Sequence, residues 1–281
     1  MTTTILIPQT QVVLATVYES LELGGIEKAQ RQIPKYERAA FLPELALARI
    51  AADSDSYIWN HWFTTNSLIV TGQGKITNQS KKGGNEYVVV AHVPHELSDP
   101  YQIRYLTRDN FKHLLFGAGE YSPTGFLELL DRNDGQLVHL IDYSTLRKSS
   151  SGLIPTVKAM SHPLFIPAFG DETTAQNYLK KFEQVKGKSI GILHYSYLDV
   201  VPRARVLFLG NNSYDALSGN SNINYSGRFV GVPRSGHAPQ AHSAEKKDHS
   251  LEEQLLALAE EHVSKGGRRD YQMVVRKILG R

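Results

Sequence analysis

The stretch that decides the fold is residues 161–232. It opens with P-L-F-I-P-A-F at 163–169, a short apolar run that reads as a strand and turns at Gly170. Asp171 then stands where a helix N-cap belongs, and Glu172 follows to favour the positive end of the helix dipole. Ala175, Tyr178, Leu179, Phe182 and Val185 recur at three- and four-residue spacing, with Lys180, Lys181 and Glu183 on the other face. That spacing predicts an amphipathic helix with one buried stripe, ended by Gly187 in the position of a left-handed cap. Residues 189–195 (S-I-G-I-L-H-Y), 203–209 (R-A-R-V-L-F-L) and 228–232 (R-F-V-G-V) read as strands. Pro202 suits a strand start, since proline cannot donate to a central ladder.

Working outward on the N-terminal side, Val13, Val17, Tyr18 and Leu21 make a helical stripe stopped by Gly24-Gly25. A second helical piece covers 26–32. Pro43 opens a third, in which Leu45, Ala48, Arg49 and Ala52 follow at helical spacing. Tyr57, Trp59, His61 and Phe63 alternate as in a strand with aromatic residues on both faces. Further strands are expected at 67–71, 86–93, 102–106 and 136–142, with a polar hairpin tip at 72–84, a helix end at 126–130, a turn at 131–135 and an exposed connector at 149–152.

Beyond Val232 the composition changes. Residues 233–250 hold no large apolar residue and read as a linker. Ser250 and Glu253 then form a capping-box pair ahead of Leu251, Leu255 and Leu258. A second helix follows Asp270, and from 264 to the end six basic residues face one acid. The organisation expected is α+β: an N-terminal helical segment (1–56), a mainly antiparallel body with a packed helix (57–232), the linker (233–250) and a basic helical pair (251–281).

Composition bounds the chemistry. With 41% hydrophobic and 21% charged residues the chain can build a core. Zero cysteines exclude disulfides, thiolate catalysis and cysteine-held metal centres. No apolar run reaches bilayer length, and the start lacks a basic signal-peptide region, so a cytoplasmic location with no membrane association is expected.

The apparent motifs do not hold together. Gly187-Lys188-Ser189 lacks the P-loop glycine five positions earlier, where Phe182 stands, and precedes a strand instead of a helix. His92, His95 and Glu96 have the wrong spacing for a helical zinc site. In D-R-N-D-G at 131–135 the glycine is fifth, where a calcium loop needs it sixth. No metal or cofactor is expected, and no catalytic residue can be assigned.

The segment 211–227 (N-N-S-Y-D-A-L-S-G-N-S-N-I-N-Y-S-G), flanked by arginines, is a long polar loop. The leading expectation is therefore a non-enzymatic binding or assembly protein whose ligand is nucleic acid, held through its backbone. Arg203, Arg205, Tyr214, Tyr225 and Arg228 would form one contact group, and Lys265, Arg268, Arg269, Arg276 and Lys277 another. An alternative is an adaptor, or self-association, in which Leu251, Leu255 and Leu258 dock in a protein groove. A third is a hydrolase or transferase assembled from His92, His95, His139, His194, Asp142 and Asp199.

Overall fold

The structure is a computed structural model that describes residues 5–9, 11–22, 25–74, 86–93, 103–104, 119–194, 198, 201–219 and 226–234. The chain divides into two compact units, Met1–Arg234 and Ser235–Arg281, and every described residue lies in the first. The expected linker and basic helical pair fall outside the described residues.

In chain order the elements are β1 (Ile5–Gln9), β2 (Gln11–Ala15), β3 (Val17–Ser20), α1 (Gly25–Arg31), β4 (Glu37–Ala39), α2 (Leu42–Ala51), α3 (Tyr57–Asn60), β5 (Phe63–Gln73), β6 (Glu86–Ala91) and β7 (Ile103–Arg104). There follow β8 (Gly119–Tyr121), α4 (Pro123–Arg132), β9 (Val138–Asp142), α5 (Tyr143–Lys148), β10 (Gly152–Pro155), α6 (Thr156–Ala159) and α7 (Phe165–Phe169). The last are α8 (Glu172–Lys186), β11 (Ser189–Leu193), β12 (Arg203–Leu209), β13 (Leu217–Ser218) and β14 (Gly227–Pro233).

The main sheet runs β10-β11-β13-β12-β5-β6-β9, with β8 also paired to β12 and β7 paired to β8. Its pairings are antiparallel except β11 with β13. A smaller sheet, β3-β14-β4, carries the N-terminal region, and β1 pairs with β2. The fold is α+β.

Both faces of the main sheet are covered, which explains why its central strands read as unbroken apolar runs. Ile69, Val88, Val90, Leu207 and Leu209 point into one core with α2, α7 and α8. Leu68, Val70, Val89, Val206 and Phe208 point into a second core with α1 and α4. Side chains alternate between faces along a strand, so consecutive apolar residues serve two cores at once.

Several local readings are confirmed and others corrected. Asp171 caps α8 by accepting from Thr174 N (2.8 Å), and Tyr178, Leu179 and Phe182 are buried as the stripe requires. Gly187 does take positive φ (100°), but its ψ of −172° is extended, not left-handed helical. Residues 165–169 are helix, not strand: five residues are too few to show a period, and Phe165 and Phe169 pack against each other and toward Tyr178. Residues 57–60 are likewise a helix, because that geometry delivers the Trp59 indole N–H to Arg49 O (2.8 Å) and stacks Trp59 on Tyr178. The stripe expected from Val13 to Leu21 is instead β2 and β3, since β14 recruits β3 by antiparallel pairing. Tertiary pairing overrides local spacing there.

The turn at 131–135 needs no ion. Asp134 Oδ1 accepts from the backbone N–H groups of Gln136, Leu137 and Val138 (2.9, 2.7 and 2.9 Å), and Gly135 takes φ +67°. Desolvation is the largest single effect and raises the Asp134 carboxyl, but the three hydrogen bonds and Arg132 together outweigh it and hold the group far below the usual carboxylate range.

His92 ties the two halves of the first core. Leu42 N–H donates to Ser67 Oγ (2.9 Å), Ser67 Oγ lies 2.8 Å from His92 Nδ1, and His92 Nε2 lies 2.8 Å from Pro167 O. A carbonyl can only accept, so Nε2 carries the proton and Nδ1 accepts from Ser67. Burial lowers the His92 pKa to about 4, outweighing the hydrogen bond to Pro167. An unfolded histidine takes its proton near 6.5, so this contribution to stability is lost as pH falls from about 6.5 toward 4, by about 3 kcal/mol at most. The gap in urea midpoint between the native chain and His92→Gln should therefore narrow over that window. A constant gap would mean that His92 is not held neutral.

Candidate functional site

The loop that follows β12 is built on one buried cation. Arg49 falls on the apolar stripe of α2 and is fully buried. Its guanidinium donates to the carbonyls of Ile58 (3.0 Å), Gly210 (2.6 Å), His61 (2.9 Å) and Leu209 (3.4 Å), and to Tyr178 Oη (3.0 Å). It also lies over the Trp59 ring, 5.1 Å from its centroid. Five acceptors around a planar fork satisfy the charge without a carboxylate.

Above this base, residues 211–219 are fixed mainly through backbone. Gly191 N–H donates to Ser213 O (2.5 Å), and a Cβ at Gly191 would collide with Tyr214 O, so glycine is required for the strand to pass this close. Gly210 N–H donates to Ala216 O (3.1 Å). Asn212 Oδ1 accepts from Tyr214 N (2.8 Å) and Asp215 N (3.2 Å), closing a side-chain turn. Asn211 Nδ2 donates to Asn60 O (3.0 Å). Leu217 and Ser218 then pair with both β11 and β12, and Gly219 N–H donates to Leu193 O (2.8 Å). On this rigid backbone Tyr214 is 71% exposed.

Asp215 is the anomaly of the loop. Its Oδ1 is buried and lacks a hydrogen-bond partner among the described residues. Desolvation raises its pKa, against the lowering effect of its hydrogen bonds and of Arg49.

The sequence-derived site residues separate. Arg203 is paired with Glu120 (3.3 Å), and Arg228 with Glu19 (2.7 Å) while lying over Trp62. Arg205 is buried within β12. These arginines serve the fold, and Tyr214 alone of the described group is presented to solvent. Tyr225, Lys265, Arg268, Arg269, Arg276, Lys277, Leu251, Leu255 and Leu258 lie outside the described residues.

The histidines and acids separate too. His92 and His139 meet edge-on (5.7 Å between centroids), yet both His92 nitrogens are engaged by protein groups. Asp142 is the exposed N-cap of α5, and His194 pairs with His162 instead. His95 and Asp199 are outside the described residues. Among the described residues no group of three or more His, Asp or Glu is placed to hold a metal ion. No described helix is long and apolar enough to cross a membrane.

No family model and no curated protein matches the chain. A solved structure does, described by the words "Accommodation of massive sequence variation in Nanoarchaeota by the C-type lectin fold". It is 40% identical over 78% of this chain and 97% of that one, with a TM-score of 0.65. The chain belongs to the family of C-type lectin fold proteins. This overturns the nucleic-acid expectation: the relative is a lectin-type fold, and of the arginines invoked for phosphate contacts the described ones are engaged otherwise, Arg203 by Glu120 and Arg228 by Glu19, while Arg205 is buried.

Two substitutions test the base of the loop. Arg49→Met removes the donor to four carbonyls and a hydroxyl and should cost about 3 kcal/mol or more in urea denaturation, because buried acceptors are left unsatisfied. A loss under about 1 kcal/mol would mean that water replaces the guanidinium. Asp215→Asn should raise the urea midpoint at neutral pH. A carboxyl with a raised folded pKa loses its contribution as pH rises through that value, so the gain should vanish in the acid range where Asp215 is itself protonated.

Proposed function

We propose that this chain is a binding protein of lectin type whose 211–227 loop is the variable part of its binding surface, and that its ligand is another protein. The observation that carries the reading is the division of labour in the loop. Arg49, Gly191 and Gly210 hold the backbone from beneath, and Asn211 and Asn212 add side-chain hydrogen bonds to backbone groups. Ser213 and Tyr214 are thereby left open to change without loss of the scaffold. This agrees with what the related structure is said to do, accommodating massive sequence variation.

A protein ligand is favoured by composition. Residues 211–227 contain five asparagines, four serines, two tyrosines and two glycines. Tyrosine supplies large contact area at small entropic cost and serine, glycine and asparagine supply adaptable hydrogen bonds, which is the chemistry of antibody paratopes. A tyrosine held by a preorganised backbone is a good anchor, because little ordering remains to be done on binding.

The test is a library of the full chain randomised at Ser213 and Tyr214, selected against a folded protein and against glycans. Most members should melt within about 0.5 kcal/mol of the native chain, as surface changes do, whereas Asn212→Ala should lose about 1 kcal/mol with its turn. Protein binders should emerge in which truncating position 214 weakens Kd about thirtyfold or more. Wholesale unfolding of the library would sink the variable-surface reading, and binders to glycans alone would replace the protein ligand with a carbohydrate.

A further inference from the structure

A pair of buried histidines closes the far side of β11 from the loop. The His162 and His194 rings pack with centroids 5.3 Å apart, and both residues are buried. His162 Nε2 lies 3.1 Å from Ser150 O, and Leu164 N–H donates to His162 Nδ1 (3.2 Å). The carbonyl and the amide together assign the proton to Nε2 and leave Nδ1 as an acceptor. Ser149 Oγ donates to Leu146 O (2.6 Å), so the His194 Nε2 at 3.2 Å is the donor to Ser149. His194 Nδ1 is then unprotonated, buried and without a partner among the described residues. Ser151 Oγ bridges the backbone of His194, accepting from its N–H and donating to its carbonyl (both 3.1 Å).

We propose that the His162–His194 pair is an acid-sensitive latch: at neutral pH it holds residues 149–151 and the outer end of β11 closed, and proton uptake releases them. A second proton on His162 can only enter at Nδ1, where it sets donor against donor and costs the Leu164 N–H its acceptor. A second proton on His194 enters at a buried atom with no acceptor in the described surroundings, beside the other ring. Charged groups on the packed elements do not relieve either event. Arg147 and Lys148 end α5, Lys158 lies on α6 and Lys188 precedes β11, and all are exposed cations. The carboxylate of α5, Asp142, caps its opposite end. Burial lowers the His162 pKa to about 4, with His194 adding to the effect, and burial lowers that of His194 as well.

The latch reaches the loop through one residue. Leu193, next to His194, is in register with Ser218 and accepts from Gly219 N–H. Release of the end of β11 therefore frees the return of the 211–219 loop. The latch does not depend on what the loop binds; only its consequence for binding rests on the function proposed above.

Amide hydrogen exchange of the full chain, corrected for intrinsic rates, tests it at about pH 7.5 and about pH 5. The Leu164, His194 and Gly219 amides should open about tenfold or more at the lower pH, while those of central β5 and β6 change less. The double variant His162→Asn/His194→Gln keeps the Nδ1-like acceptor and the Nε2-like donor but cannot titrate, and should abolish the pH response at those amides. Unchanged protection in the native chain overturns the latch, as does a pH response that survives in the double variant. Should that variant not fold, imidazole NMR titration of the native chain decides: the rings must take up protons in the same pH range in which the three amides open, and protonation without opening overturns the proposal.

Discussion

A buried guanidinium bonded to carbonyls and a hydroxyl sets the terms for this structure. Taking Arg49 out of water costs several kcal/mol, and hydrogen bonds from a charged group return about 1.5–3 kcal/mol each. The balance closes only when the carbonyls of Ile58, His61, Leu209 and Gly210 and the hydroxyl of Tyr178 are all in place. Those acceptors come from α3 and its exit, from the end of β12 and from α8. The residue thus does less for the depth of the native well than for its uniqueness, because any arrangement that misplaces one of these segments leaves a buried charge short of acceptors.

The two-sided sheet supplies the rest of the rigidity. With Ile69 and Leu207 facing one core and Leu68 and Val206 the other, β5 and β12 cannot slip by one residue without exchanging the contents of both. His92 adds a polar tie across the first core, joining α2, β5 and α7 through Ser67. The surface loop inherits this stiffness. It is long and polar, yet Gly191 N–H, Gly210 N–H and Asn212 Oδ1 leave its described backbone little freedom.

The class of the fold was readable where periodicity and capping agreed. α8 announces itself by Asp171, by its aromatic stripe and by Gly187, and α2 by Pro43 and its apolar spacing. The misreadings have physical causes. Val13, Val17, Tyr18 and Leu21 fit a helical stripe, but β14 lies some two hundred residues away and claims that region by hydrogen bonding. Residues 57–60 and 165–169 are too short for a period to show. The partners of Arg203 and Arg228 are Glu120 and Glu19, so local sequence could not reveal that these charges were already spent. Arg49 was visible as a cation on an apolar stripe, and that conflict between residue type and position was the signal for the base of the site. Nothing in residue spacing marked the lectin type, since it resides in how strands are ordered and not in a motif.

That ordering has a consequence for how the chain can change over generations. β13 is two residues long, yet it is the hydrogen-bonded link between β11 and β12 in the main sheet. A deletion through Leu217 and Ser218 would remove the strand that links the β10–β11 pair to β12. The same two residues close the 211–216 stretch, which leaves the sheet at the end of β12 and returns to it at β13. A change at Leu217 or Ser218 therefore falls on the sheet itself and not on the loop alone.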